Sequence, residues 1–445
     1  IMTNKKKVAV IGSGITGLSA AWALRDTADV TLFESADRFG GHSCTIDIQS
    51  GGKTIPVDVG FIVCNPLNYP NFMNFMSHLG VGTVQSDMSF AVSDKQGFEW
   101  SSNPEGLFAY KRNLFSPSFL KLLGEILSFN KKATSDAENE SLLTDLTLGQ
   151  YLDRMSASQT FRNQYLLPMG AAIWSTPEAR MEEYPAISFI RFFNNHRLLH
   201  RERPKWRTVA GGSRSYVDVV VKALGSRAQC GRVVENIRRT SKGADVLVDG
   251  HWNEFDEVVL ACHAPQAHAL LGDGFEHQKS ILAPIQVTKN VAYLHKDTSL
   301  MPRRRAAWAS WNVLKHTDDE VTLSYWMNRL QKLDTDETVL VTLNPHELPK
   351  PELTYDRFEF DHPLFTKTAL ERVENLKRVN GRDGLWIAGA WMGHGFHEDG
   401  LKSGLAVALS LGAQLPWTPT DIAPYSTETP NTLERPAVNQ KVAIS

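Results

Sequence analysis

The first apolar block of the chain is short and β-branched, VAVI at 8–11, and it follows a polar, lysine-rich start. A block of that length closed by glycine reads as a buried strand. A helix is expected over 17–25, with Leu18, Ala21 and Leu24 on one face, and a second strand over 30–33. Between about 70 and 205 the pattern changes to Phe, Leu and Met at helical spacing. The polar run SDAENESLLTD there, at 135–145, is expected to be a loop entering a helix. Within 209–224 an AGGS turn leads into another helix. Strands are expected at 233–237, 244–248, 257–261 and 385–388, with alternating strands and turns over 270–374 and a turn and helix over 402–411. After Trp417 the chain is rich in Pro, Thr and Ser, a composition that buries little apolar surface, so 418–445 reads as a disordered tail. No internal repeat is evident.

With 445 residues, 42% of them hydrophobic, the chain can build a large core and two or more domains. A formal net charge of −2 gives no global basic balance, which argues against nucleic acid as partner. The four cysteines, Cys44, Cys64, Cys230 and Cys262, are far apart. They suggest neither a disulfide framework nor a zinc site and fit a reducing cytosol. The start has no apolar stretch of the secretory kind, and Ile1 before Met2 reads as a cloning or translation artefact. No window approaches the ~20 apolar residues of a spanning helix. A cytoplasmic protein is expected, at most peripheral at a membrane surface.

The candidate chemistry begins in the turn after the first strand, G-S-G-I-T-G, with Gly12, Gly14 and Gly17. Glycine inside regular structure costs roughly 0.5–1 kcal/mol relative to alanine, so three in six positions need a reason. Strand, glycine turn, helix, second strand and an acid at its end (Glu34, twenty residues after Gly14) together form a dinucleotide-binding fingerprint. Gly12 permits the tight turn, Gly14 lets the backbone approach a pyrophosphate, and Gly17 lets the helix pack on the sheet. Ile15 and Thr16 in the first helical turn are expected to meet phosphate charge. Glu34 would take the ribose hydroxyls, with Ser35 beside it.

Beyond Glu34 lies SADRFGGH, with Arg38, Gly40, Gly41 and His42. This E-x3-R-x-G-G pattern resembles the flavoenzyme superfamily of amine oxidases, protoporphyrinogen oxidase and carotenoid desaturases. Three further stretches resemble it: DVGF with Gly60 and Phe61, WRTVAGGS beginning at Trp206, and GRVV with Val233. Near the C-terminus GLWIAGAWMGHGFHEDGLKSGLAVAL resembles the segment lining the ribityl chain and isoalloxazine, with Gly389, Ala390, Trp391, His394, Phe396, His397 and Asp399. The resemblance implies an FAD cofactor and an α/β fold with α+β character. A discontinuous FAD-binding domain (1–75, 205–270, 375–417) would carry an inserted substrate domain (76–204, 271–374). Family members often have an acid after the glycine where this chain has Ala390. Glu398 or Asp399 would have to replace it, with a surface role for either as the alternative.

Several stretches, among them PMGAAIWSTP, FFNNHRLL and GFHEDG, resemble the predicted oxidoreductases encoded beside cyclopropane-fatty-acid-synthase-like methyltransferases. That implies a flavin-dependent oxidoreductase that oxidises or desaturates a lipid acyl chain, with O2 or another acceptor reoxidising the flavin. An amine oxidase is the alternative enzyme, with Trp391 and Tyr325 as an aromatic cage. The sequence singles out no lysine to hold a water near the flavin N5. A flavin-binding partner or sensor is the non-enzyme alternative. Candidate catalytic residues are His397, His394 and Trp391; candidate substrate contacts are Tyr325, Trp326 and Phe396. The stretch FAYKRNLFSPSFLKLLGEILSFNKK reads as a cap helix on the core, with a bilayer interface as the other reading. The cluster at Arg303–Arg305, with Trp308 and Trp311, reads likewise as solvated charge or as a headgroup contact. His196 and His200 have the spacing of a metal pair, but no third ligand accompanies them.

Overall fold

The computed structural model describes residues 5–174, 177–195, 205–316 and 321–425. A parallel five-stranded sheet has the order Leu385–Ile387, Glu257–Leu260, Lys7–Ile11, Asp29–Phe33, Ala228–Gln229. Its central strand is buried on both faces, which is why it reads as an unbroken apolar run. Val8 and Val10 face the helices Ile15–Leu24 and His397–Ser410. Ala9 and Ile11 face a core shared with a three-stranded antiparallel sheet (Val234–Arg239, Ala244–Val248, His251–Phe255) and the helix Lys367–Val379.

A seven-stranded sheet forms the other half. Its order is Thr354–Pro363, Val287–His295, Leu340–Leu343, Val321–Trp326, Trp311–Lys315, Phe90–Asp94, Glu99–Ser101. All its pairings are antiparallel except Trp311–Lys315 with Phe90–Asp94. Its apolar face shares the largest core with the helices Pro117–Ala137, Leu148–Arg154, Leu167–Trp174 and Ala186–Asn195. Among the described residues no helix is long and apolar enough to cross a membrane.

Four expectations change. The helix Pro117–Ala137 continues into the polar run, because the Asp136 carboxylate is buried against Tyr151 Oη (2.8 Å) and Lys132 Nζ (3.0 Å). The C-terminal helix starts at His397, five residues early, because Asp399 closes its first turn by accepting from the Phe396 amide (3.0 Å). The first part of the expected tail is docked: Thr420 exchanges two hydrogen bonds with Asn71, and the Tyr425 amide donates to Ser410 Oγ. Residues 426–445 lie outside the described ones, as do His196 and His200. The arginine cluster is engaged within the protein. Arg304 pairs with the buried Glu99 at 2.9 Å, and Arg305 stacks between Trp308 and Trp326.

Candidate active site

A cavity of about 950 Å³ runs from the carboxyl ends of the parallel strands to the seven-stranded sheet. Ligands in open parallel sheets sit at those strand ends. One end of the cavity is built by the glycine turn. A Cβ on Gly12 would stand 2.6 Å from the Ala261 carbonyl oxygen, and one on Gly17 would overlap the Gly12 carbonyl oxygen, so these two glycines serve chain packing. A Cβ on Gly14 would meet no protein atom within 4 Å. Its space opens onto the cavity, beside the first turn of the Ile15–Leu24 helix, which has no side-chain cap and no acid. Free amides and an uncompensated dipole there form a seat for phosphate.

Glu34 stands on the same wall. Its carboxylate accepts from the Ser13 amide (3.0 Å), Ser13 Oγ (2.5 Å) and the Ala36 amide (2.8 Å), which fixes it at the strand end. Ser35, Val233 and Arg232 continue the wall. A seat for phosphate and a fixed acid on the same wall fit an adenine dinucleotide. Arg38 lines the cavity but spends its guanidinium on its own loop, donating to the Gly41 carbonyl at 2.8 Å. Gly40 is off the wall. Its φ is +114°, and a Cβ would stand 2.5 Å from the Ser43 carbonyl oxygen, so it shapes the loop. Gly41, His42, Gly60, Phe61 and Trp206 are all on the wall.

At the other end the turn Gly389–His397 meets Phe61 and the seven-stranded sheet. Gly389, Ala390, Trp391, Phe396 and His397 line the cavity. Trp391 donates its indole N–H to the Cys262 carbonyl (3.0 Å), so its polar atom is committed to the protein. His397 lies flat on Phe61, centroids 3.7 Å apart, and Tyr216 Oη bonds its Nε2 at 2.8 Å. Burial holds this imidazole neutral, its pKa down to about 3. Besides Gly17 and Gly40, three candidates from this end are displaced from the cavity wall. His394 does not line it. Asp399 caps its own helix, and neighbouring Glu398 caps another by accepting from the Asn71 and Phe72 amides. Glu398 is buried and Asp399 half-buried, neither at the surface. Trp326 points away from the cavity and packs on Trp308, whereas Tyr325, on the opposite face of the strand, lines it.

The structure adds His263 and His362, which no motif marked, beside His42 of the glycine-pair stretch. His42, His263 and His362 gather on one stretch of wall, with His42 5.7 Å from His263 and 5.3 Å from His362 between ring centroids. His362 is set by a chain of amides. The Val291 amide donates to Asn344 Oδ1, Asn344 Nδ2 to Asn290 Oδ1, and Asn290 Nδ2 to His362 Nδ1 (2.9, 2.6 and 2.7 Å). One backbone N–H therefore fixes both amide orientations and leaves the His362 proton on Nε2. Desolvation, then the His263 ring, lowers the His362 pKa to about 4, so the ring is a neutral donor. His42 and His263 are also held neutral, foremost by burial. Of the two unmarked histidines, only His263 had a usable signal, its place just past the end of a parallel strand. Lys289 also lines the cavity, as the register partner of Asp361.

The chain matches the flavin-containing amine oxidoreductase family over residues 15–354. It is 23% identical over 312 residues to a carotenoid phi-ring synthase of Chlorobaculum tepidum, covering 65% of this chain and 46%, less than half, of that synthase. Among solved structures it superposes on putrescine oxidase (TM-score 0.68, 16% identity, 91% of this chain and 98% of that one). It superposes similarly on cyclohexylamine oxidase from Brevibacterium oxydans (TM-score 0.69, 15% identity, 92% and 98%). A fatty acid isomerase from P. acnes that produces CLA shares the fold too (TM-score 0.59, 14% identity, 91% and 98%). The glycine turn, the fixed acid and the family match over most of the chain make this protein a member of the flavin-containing amine oxidoreductase family, an FAD-dependent oxidoreductase.

Proposed function

We propose that the protein oxidises a lipid acyl chain, drawing a hydride from one C–H bond and a proton, released to water, from its neighbour, two electrons and two protons in all, to leave a double bond. The observation that carries this reading is the cavity's far end, where Met88, Phe90, Met169, Ile173, Phe192 and Tyr325 form an apolar vault. An unactivated methylene offers nothing to hydrogen-bond, so only such a wall can orient it. FAD, when bound, would supply a two-electron acceptor for the hydride. Gly12, Gly14, Ile15, Thr16, Glu34 and Ser35 would hold its dinucleotide part, and Phe61, Trp206, Ala390, Phe396 and His397 would surround its ring end. The stacked, neutral His397 fixes the wall's shape there. The His362 Nε2–H offers a donor with a set direction. The electrons leave to O2 or to another acceptor.

The carotenoid synthase and the fatty acid isomerase are relatives named for lipid-like substrates, which supports this reading. The two amine oxidases with the same fold favour a second, oxidation of a small amine. Anaerobic titration decides between them. Phospholipids with methyl-branched or unsaturated chains are expected to bleach the FAD-loaded protein and to acquire a double bond. Bleaching by amines and not by properly dispersed lipid would reject the acyl reading. A substrate of the acyl-lipid class resides in a bilayer, so the reading requires a surface that meets lipid.

A further inference from the structure

We propose that the outward face of the helix Pro117–Ala137, with the turn before it, docks on an anionic lipid bilayer; the proposal rests on the acyl-lipid reading and supplies its partner. Four of the eleven large apolar side chains exposed among the described residues fall between 114 and 127: Leu114, Phe115, Leu120 and Leu127. Phe115 is 87% exposed and Leu127 72%. Scattered exposed leucines are ordinary, but a cluster of this kind marks a contact surface.

The helix is built for two neighbours. Phe119, Leu122, Phe129 and Ala133 are buried in the large core. Leu120 and Leu127, seven residues apart, lie about 20° from each other around the helix on the side turned away from that core. Lys131 continues their line and Lys121 flanks it. From 111 to the end of the helix at 137 the chain carries Lys111, Arg112, Lys121, Lys131 and Lys132 against two acids, Glu125 and the buried Asp136 that pairs with Lys132, although the whole chain has a net charge of −2. Glu125 is itself engaged, accepting from Ser158 Oγ at 2.7 Å. Lys111, Arg112 and Lys131 have no ion-pair partner among the described residues. Protruding apolar side chains rimmed by free cations match the boundary between acyl chains and anionic headgroups. A protein partner would need a complementary acidic surface, for which nothing here argues. The helix packs against Ala186–Asn195, whose Phe192 lines the apolar vault, so one helix layer separates the exposed face from that vault.

The test is co-sedimentation of the full-length, FAD-loaded protein with vesicles of phosphatidylcholine, with and without phosphatidylglycerol. Binding is expected to the phosphatidylglycerol vesicles and to weaken as salt rises. Phe115→Asp with Leu127→Asp should cut binding at least tenfold, and Lys111→Glu with Lys131→Glu should remove the preference for anionic lipid. All four positions are exposed, so FAD content, melting temperature and flavin reduction by detergent-dispersed lipid should stay at wild-type values. Wild-type protein that remains in the supernatant at low salt would overturn the proposal. So would variants that sediment like wild type, or a dimer that these substitutions dissociate while vesicle binding is absent. Vesicle binding with no flavin reduction by any acyl lipid would reject the substrate reading and leave the surface standing. Reduction by dispersed lipid without vesicle binding would do the reverse.

Discussion

The two ends of the cavity are built on different principles. The dinucleotide end is made by one short piece of chain and its own backbone: glycines that let peptides touch, a helix start without a cap, and an acid held by neighbouring amides. The other end is made of side chains brought from six distant segments, around His42, Met169, His263, Tyr325, His362 and His397. Backbone geometry tolerates few residue types, so the first end leaves a fixed spacing in the sequence. Side-chain walls admit many solutions, so the second leaves little trace there.

Glycine substitutions test that contrast most severely. Gly14→Val should fold, since no protein atom lies within 4 Å of the new Cβ, yet purify without yellow colour because the side chain fills the phosphate seat. Gly17→Val should instead fail at the fold, since its Cβ overlaps a carbonyl oxygen; overpacking of this kind costs about 1–3 kcal/mol or more. A yellow Gly14→Val protein, or a thermally normal Gly17→Val protein, would erase the distinction between ligand space and packing.

Acid should act mainly on the side-chain end. His397 and His362 hold pKa values of about 3 and 4 against the usual 6.5, and His42 and His263 are lowered too. Each contributes stability that is complete above pH 6.5 and is lost as pH falls toward the folded-state value, because the unfolded chain binds the proton more readily. Asp58 opposes them. Desolvation raises its pKa from 3.8 to about 6, so its contribution is complete below pH 3.8 and fades as pH rises through 6. Burial also raises Glu398 and Asp399 and lowers His295 and His394, so six imidazoles stand against three carboxyls, and urea midpoints should fall from pH 7 to pH 5. His362→Asn should shallow that slope, and Asp58→Asn should steepen it. Midpoints that rise toward pH 5 would contradict the burial argument.

A smaller effect separates shape from cofactor retention. His397→Ala should keep its FAD, since Gly14 and Glu34 are untouched, but slow anaerobic reduction by roughly tenfold as the Phe61 stack and Tyr216 bond are lost. Unchanged turnover would make His397 purely structural. The smallest expected difference is between strand neighbours: Tyr325→Leu should alter the KM for substrate, while Trp326→Phe should leave it unchanged. Equal effects would show that the strand as a whole, and not the cavity-facing side chain, sets binding.

The parallel strands, the glycine turn, Glu34 and the FAD assignment were legible because each depends on residues within about thirty positions. The displaced candidates share one cause. His394, Asp399 and Trp326 sit in the right segments, but a residue's face depends on where a helix begins and which way a strand turns. The arginine cluster read as surface charge because its partner Glu99 is some two hundred residues away. His362 could not be read as a preset donor, since its tautomer follows from a three-amide chain spanning three strands.

The sequence by itself determined the fold class and the cofactor, because these rest on local backbone geometry and on glycines at close backbone contacts. Only the tertiary structure decided which side chains face the reacting space, which histidines stay neutral and which apolar residues remain uncovered on the surface. Those properties depend on burial and on partners far along the chain, and burial exists only once the two sheets and their helices have packed.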